Sequence, residues 1–155
     1  YFIYMFGNMF FKNYTNRKFF TTQIKKYTNF RFTEQHHFIY HKNNIYTIGI
    51  TKFLARKLGP IIYVHEFGNI IGKYKKEKEP LLILESSRTM AEINSPIDCV
   101  IKEFNQELTY NPFMINESPF RDGWLYKVYS PIPIFLDNKN LMKVDEYSNY
   151  IEKNF

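Results

Sequence analysis

Two short stretches of this chain hold the side chains best suited to chemistry. The first contains His36, His37 and His41, and neutral imidazole is a common metal ligand and general base. The second, residues 85–89, reads ESSRT and places two serine hydroxyls between a carboxylate and a guanidinium. A metal site in the first stretch and a hydrolase-like site in the second are therefore the first two hypotheses.

The spacing of the histidines argues against a metal site. Neighbouring side chains of a β-strand point to opposite faces, so His36 and His37 would diverge. His37 and His41 would share a face but stand about 13 Å apart at roughly 3.3 Å per residue. Since no Cys, Asp or Glu accompanies them at ligand spacing, we predict no metal site, and surface or hydrogen-bonded histidines instead.

The serines of the second stretch lack the surroundings of a catalytic nucleophile. The sequence contains no Gly-x-Ser-x-Gly nucleophile elbow, and serine is common in turns because its hydroxyl bonds the nearby backbone. The one cysteine, Cys99, lies in an apolar stretch and is predicted to be buried and inert. A single cysteine also rules out an internal disulfide and is typical of a reducing compartment.

The first part of the body has patterns typical of strands and one short helix. Residues 31–40 and 44–50 are rich in aromatic and β-branched residues and are separated by polar residues, which predicts a hairpin. Residues 51–60 read TKFLARKLGP. This segment predicts a helix that Thr51 caps and Gly59 ends.

Arg88 is predicted to lie at an exposed turn. Residues 81–84 read LLIL and are apolar on both faces, as in a buried strand. Residues 86–89 form a polar break before MAEI resumes an extended pattern. Two strands that flank such a break predict a hairpin with Arg88 at its tip.

The rest of the chain predicts more strands and short helices. Residues 96–104 and 123–128 are predicted as strands, and Asn111-Pro112 as the start of a short helix. Asp145 is predicted to cap a final helix. The chain is therefore expected to be mostly β with two to four short helices, and periodicity leaves barrel and sandwich unresolved.

Charge is unevenly distributed along the chain. The net charge is +6, but residues 1–33 hold six basic residues and no acid. The rest of the chain holds 15 basic and 15 acidic residues, so no nucleic-acid-binding surface is predicted. No apolar run approaches the roughly eighteen residues of a membrane span, and none is predicted.

The first thirty residues are predicted to be a leader. This segment is free of acids and rich in Lys, Arg, Thr and aromatic residues, and so is similar to an organelle transit peptide. It predicts a mitochondrial matrix protein, with a plastid as the alternative, while a secretory opening and a disordered tail stay open. We therefore divide the chain into a leader, residues 1–30, and a domain, residues 31–155.

Five sequence blocks of the domain resemble the glycine cleavage H proteins, in order and nearly without gaps. They lie within residues 32–151 and read FTEQHHFI, IGITKFLARKLGPIIYVHEF, PLLILESSRTMAEINSP, PIDCVIKEFNQEL and NPFMINESPFRDGWL. NESP followed by GWL at this spacing is highly specific for the family. The resemblance implies a lipoyl/biotinyl-type barrel-sandwich hybrid with short helices and a C-terminal helix.

The resemblance also implies a carrier rather than an enzyme. In this family a lipoyl group sits on a lysine of the hairpin turn. It takes an aminomethyl group from a pyridoxal-phosphate-dependent glycine decarboxylase to a folate-dependent aminomethyltransferase, and lipoyl dehydrogenase reoxidises it. The reacting atoms are the dithiolane sulfurs of the cofactor, so the protein supplies a mobile attachment on a rigid turn.

Two residues depart from the family pattern at functional positions. Arg88 aligns with the lipoyl lysine, and a guanidinium keeps its proton and delocalises its lone pairs, so it is a very poor acyl acceptor. His37 aligns with a glutamate that helps to hold the loaded amine, and histidine cannot reproduce a carboxylate's attraction for an ammonium. Glu92 keeps an acid where the family has aspartate. We therefore expect no lipoate on this chain.

Three interpretations of function follow. The leading one is an H-protein-like binding module that has lost cofactor attachment and docks with the aminomethyltransferase, glycine decarboxylase, lipoyl dehydrogenase or lipoate-attaching enzymes. The alternative is a functional lipoyl-carrying H protein, in which a sequence error hides the lysine or another lysine accepts lipoate. The third is an enzyme with a new site, which would need clustered polar groups in a cleft.

Overall fold

The computed structural model describes residues 28–131 and 140–154, which form nine strands and four helices. The strands are β1 (Phe30–Phe32), β2 (His37–Lys42), β3 (Ile45–Ile50), β4 (Ile61–Glu66), β5 (Tyr74–Lys75), β6 (Pro80–Ser86), β7 (Met90–Asn94), β8 (Cys99–Phe104) and β9 (Tyr126–Tyr129). The helices are α1 (Lys52–Leu58), α2 (Glu107–Tyr110), α3 (Met114–Glu117) and α4 (Val144–Asn154). The predicted leader, apart from its last three residues, lies outside the described residues.

Two antiparallel sheets build the domain. The first has six strands in the order β1-β2-β3-β9-β8-β5, and the second has three in the order β4-β6-β7. Within the described ranges no strand pairing joins one sheet to the other, so the barrel is not closed. The mostly β fold predicted from the sequence is confirmed.

The main core draws on strands of both sheets. Ile48 and Ile50 of β3, Leu82 and Leu84 of β6, and Ile93 of β7 belong to one buried cluster, and each is 1% exposed or less. Full burial of one such side chain contributes about 1.5–3 kcal/mol. This cluster therefore fixes the β6–β7 hairpin against the six-stranded sheet.

A second, aromatic cluster holds helix α4 against β1 and β2. Phe32 stacks on Tyr147 with their ring centroids 4.6 Å apart and 8° between the ring planes. The Tyr147 hydroxyl lies 2.8 Å from His36 Nδ1 and 3.0 Å from Thr51 Oγ1. The C-terminal helix is thus tied to the start of β2 and to the start of α1.

The first hairpin and helix α1 test the local sequence predictions. Helix α1 is capped by the Thr51 hydroxyl and ends before Gly59, as predicted. The prediction of a single strand over residues 31–40 is wrong, because a turn with His36 at φ 63° separates β1 from β2. Polar residues at the start of a predicted strand can thus hide a turn.

The last two helices begin at other residues than predicted. In α4 the Glu146 carboxylate accepts a hydrogen bond from the Lys143 N–H at 2.6 Å, and Asp145 lies inside the first turn. Helix α3 begins at Met114 without a side-chain cap, so the predicted start at Asn111 is wrong. None of the helices that the structure describes is long and apolar enough to cross a membrane.

Candidate functional site

The hairpin between β6 and β7 places Arg88 at an exposed tip, as predicted. Ser86 organises the turn. Its N–H donates to the Thr89 carbonyl oxygen at 2.9 Å, and its hydroxyl oxygen accepts the N–H groups of Arg88 and Thr89 at 3.2 and 3.0 Å. A well-bonded turn therefore presents the side chain at position 88 to solvent.

The tip is anchored to the segment that follows helix α1. The Ser86 hydroxyl donates to the Leu58 carbonyl oxygen at 2.8 Å, and the Ser87 N–H donates to the Pro60 carbonyl oxygen at 2.9 Å. Between these two acceptors, Gly59 has a φ of 90°, which favours glycine. A methyl group on Gly59 would stand 3.2 Å from Cδ and Nε of Arg88, so the arginine stem lies against this glycine.

Asn116, from the NESP block, holds the same segment from its other side. Its side-chain amide donates to the carbonyl oxygens of Ala55 and Gly59 at 3.2 and 2.9 Å, and its Oδ1 accepts the Ile61 N–H at 2.8 Å. These bonds tie the last turn of helix α1 to the segment that follows it. The signature block thus supports the segment on which the hairpin tip rests.

His37 and Glu92 belong to different sheets, yet the fold brings them to one open cleft of about 420 Å³. The cleft follows strand β7, whose residues 91–94 line it. Thr33 and Gln35 from the turn before β2 also line it. The two positions singled out by resemblance are therefore neighbours of one cavity, and their role in holding an amine stays a prediction.

The imidazole of His37 is neutral near pH 7. The residue is 5% exposed, and burial lowers its pKa to about 4, with a smaller contribution from the charge of His36. A neutral ring cannot attract an ammonium by charge. The carboxylates of the cleft come instead from Glu77 and Glu92.

The other two predicted histidines lie apart from the cleft. His36 is buried, bonds the Tyr147 hydroxyl and sits in a turn rather than in a strand, so the prediction that it alternates with His37 along one strand is wrong. His41 stacks on Tyr46 with ring centroids 4.6 Å apart. Among the residues that the structure describes, no three His, Cys, Asp or Glu side chains come together as a metal site requires.

Several polar residues of the cleft were missed by sequence reasoning, among them Asn94, Glu77 and Lys78. Asn94 Oδ1 is buried and has no hydrogen-bond partner in the described part of the chain. The loop that carries Glu77 and Lys78 reaches the cleft because the Lys78 N–H bonds the Ser95 carbonyl oxygen at 2.8 Å. A contact between two segments that are distant in the chain produces no periodic pattern in the sequence, so it could not be predicted.

The hydroxyls that line the cleft are engaged with the backbone. Ser95 Oγ donates to the Ile97 carbonyl oxygen at 2.7 Å, and Thr33 Oγ1 accepts the His37 N–H at 3.1 Å. Cys99 is fully buried, as predicted, and burial raises the pKa of its thiol. The cleft gathers polar groups, as an enzyme site would need, but its lining residues supply no activated nucleophile.

Comparison with known proteins gives consistent matches. The family model described as "Glycine cleavage H-protein" matches residues 30–154. The mitochondrial glycine cleavage system H protein of Flaveria trinervia is 34% identical over 123 residues, which are 79% of this chain and 72% of that protein. A probable glycine cleavage system H protein of Picrophilus torridus is also 34% identical over 123 residues, 79% of this chain and 94% of that one.

A solved structure shares the fold. The crystal structure of a glycine cleavage system H protein from Mycobacterium marinum aligns with a TM-score of 0.69 and 22% sequence identity. The alignment covers 80% of this chain and 97% of that chain. The two-sheet arrangement is therefore shared by proteins with little sequence identity.

Proposed function

Because this chain belongs to the glycine cleavage H-protein family, we propose that it serves the glycine cleavage system as a binding module that carries no lipoyl group. Members of this family are carriers rather than catalysts, and the chain is not an enzyme. The observation that carries the proposal is Arg88 at the exposed hairpin tip, the position that aligns with the family's lipoyl lysine.

The chemistry of the tip does not fit lipoate. Amide formation needs a neutral amine as acceptor, and the delocalised guanidinium of an arginine is a very poor acyl acceptor. Residues 86–89 contain no lysine. Lys78 precedes β6, whose seven residues span about 20 Å and separate it from the tip.

The rest of the turn supports docking with the family's partners. The hydrogen bonds of Ser86 and Asn116 hold the hairpin rigidly on the end of helix α1. A surface that several enzymes bind needs such rigidity. The module therefore binds the aminomethyltransferase, glycine decarboxylase, lipoyl dehydrogenase or a lipoate-attaching enzyme, and competes there with lipoylated H proteins.

A working lipoyl carrier is the second candidate function. It is favoured by Glu92, which keeps an acid on the cleft, and by the intact hairpin turn. This candidate requires either a lysine at position 88 that a sequence error hides or lipoate on a lysine outside the turn. The two candidates differ in whether the chain carries lipoate and in whether it supports turnover of glycine as the sole H protein.

The mitochondrial matrix is the proposed location, with a plastid as the alternative. The support is the acid-free, basic leader and the relatives from Flaveria trinervia and Arabidopsis thaliana, which are named as mitochondrial. A fluorescent fusion of the leader, imaged together with mitochondrial and plastid markers, separates the two locations.

A competition assay tests the proposed function. The protein is added to a reconstituted glycine cleavage reaction that a lipoylated H protein supports. We expect inhibition that excess lipoylated H protein relieves, and no turnover when the chain is the sole H protein.

Arg88→Asp should weaken the inhibition more than Lys153→Asp, which reverses an exposed charge on α4. Turnover with this chain alone would establish the carrier instead, and absence of inhibition would exclude the module.

A further inference from the structure

We propose that strand β7 binds an extended, lysine-containing segment of a partner polypeptide along the edge that no described strand occupies. The segment adds to the three-stranded sheet as a fourth strand. The proposal rests on the backbone geometry of the edge and on the cleft beside it. It holds whether or not the chain carries lipoate.

Strand β7 is the last strand of the β4-β6-β7 sheet. Ser86 and Thr89 form the hydrogen-bonded pair that closes the hairpin, and bonded and non-bonded pairs alternate along an antiparallel ladder. Ala91, opposite Leu84, therefore turns its backbone groups toward β6, whereas Glu92 turns its N–H and C=O outward. No backbone hydrogen bond among the described residues uses these outward groups. An edge of this kind is a template for strand addition.

An unsatisfied polar atom marks the same edge. Asn94 Oδ1 is buried without a hydrogen-bond partner in the described ranges, and its residue lines the cleft. A buried acceptor left unpaired carries a desolvation cost. If the Asn94 side chain turns its oxygen toward the cleft, a backbone N–H or a side-chain ammonium of an added strand would remove this cost.

The charge of the cleft favours a basic segment. Glu77 and Glu92 line it, and among the described lining residues Lys78 is the one Lys or Arg side chain. His37 adds no charge near pH 7, because burial keeps its pKa at about 4. An ammonium would meet two carboxylates, whereas an acidic segment would be repelled.

The cleft also offers apolar contacts at alternate positions of an added strand. Leu54, Ala91 and Leu141 line it, and side chains of an extended segment alternate between two faces. A segment that alternates valine with lysine or threonine therefore matches the site. A second copy of this chain fits less well, because symmetric pairing of two β7 edges would bring two Glu92 carboxylates together.

The test uses a fluorescently labelled, acetylated and amidated peptide, Thr-Val-Lys-Val-Thr-Val, with the folded full-length chain. We expect saturable binding by fluorescence anisotropy and amide NMR shifts that are largest at Glu92 and Asn94. The same peptide with alternate N-methyl groups cannot pair with an edge and should bind about tenfold more weakly. A peptide with glutamate in place of the lysine should lose about fivefold.

Two substitutions of Glu92 distinguish the contribution of backbone pairing to peptide affinity from the contribution of charge. Glu92→Pro removes the outward N–H but not a bond to β6, so it should weaken binding about tenfold while circular dichroism stays unchanged. Glu92→Gln keeps the N–H and should lose about threefold. Equal affinity of the N-methylated peptide, NMR shifts away from β7, absence of binding, or pairing of two β7 edges in a dimer would each overturn the proposal.

Discussion

The Ser86 hydroxyl lies 2.8 Å from the Leu58 carbonyl oxygen, and this hydrogen bond joins the hairpin tip to the end of helix α1. The same hydroxyl oxygen accepts the N–H groups of Arg88 and Thr89. Ser86 is only 6% exposed, so water cannot readily replace it as a partner. The orientation of the tip therefore depends on one serine hydroxyl more than on the residue at the tip itself.

Removal of that hydroxyl should loosen the tip. We expect Ser86→Ala to lower the free energy of unfolding by about 1–3 kcal/mol, because buried backbone groups lose their partner. Urea denaturation measures this change, and hydrogen exchange should accelerate at the Arg88 and Thr89 amides. The exposed Ser87 is the matched control, and Ser87→Ala should stay within about 0.5 kcal/mol of the unchanged protein. Equal effects of the two substitutions would show that Ser86 does not anchor the turn.

Loss of the Asn116 side chain should affect the same segment from the other side. Asn116→Ala removes three hydrogen bonds at the end of helix α1, and we expect a loss of about 2–4 kcal/mol in the free energy of unfolding. Asn111→Ala, at an exposed position in the same part of the sequence, is the control and should be nearly neutral. A small effect at Asn116 would mean that the anchor does not depend on this amide.

Acid should destabilise the fold through two buried histidines. Burial lowers the pKa of His36 and of His37 to about 4, whereas an unfolded histidine titrates near 6.5. Between these values the unfolded chain takes up protons that the folded chain cannot, so stability is fully present above pH 6.5 and is lost toward pH 4. His37 alone accounts for on the order of 2–3 kcal/mol of this loss.

Chemical denaturation across the same pH range checks this linkage. His37→Gln should flatten the dependence of the free energy of unfolding on pH, because glutamine does not titrate. Identical slopes in the unchanged protein and in the His37→Gln variant would contradict a neutral, buried His37.

The elements that depend on local sequence were predicted well. Helix α1 has its capping Thr51 and terminating Gly59 within a few residues, and the β6–β7 hairpin follows from an apolar run, a polar break and a second extended segment. Each of these signals is contained in the element itself. The sequence alone therefore sufficed to place Arg88 at an exposed tip.

The cleft was beyond such reasoning, because its walls come from segments distant in the chain. His37 and Glu92 were singled out by motif resemblance and not by any pattern around them. In the sequence, Asn94 looks like an ordinary strand residue. Only the structure shows that its Oδ1 is buried without a hydrogen-bond partner among the described residues. The left-handed backbone of His36, at φ 63°, was missed because residues other than glycine rarely adopt that conformation and no glycine marks this turn.

The intact mass of the purified chain, after co-expression with a lipoate-attaching enzyme in the presence of lipoate, tests the central claim most directly. We predict the unmodified mass for the chain with Arg88. For Arg88→Lys we predict one added lipoyl group, because the anchored turn then presents an amine at the same position. A lipoyl group on the unsubstituted chain, or an Arg88→Lys protein that stays unmodified, would contradict the claim that Arg88 blocks attachment at this tip.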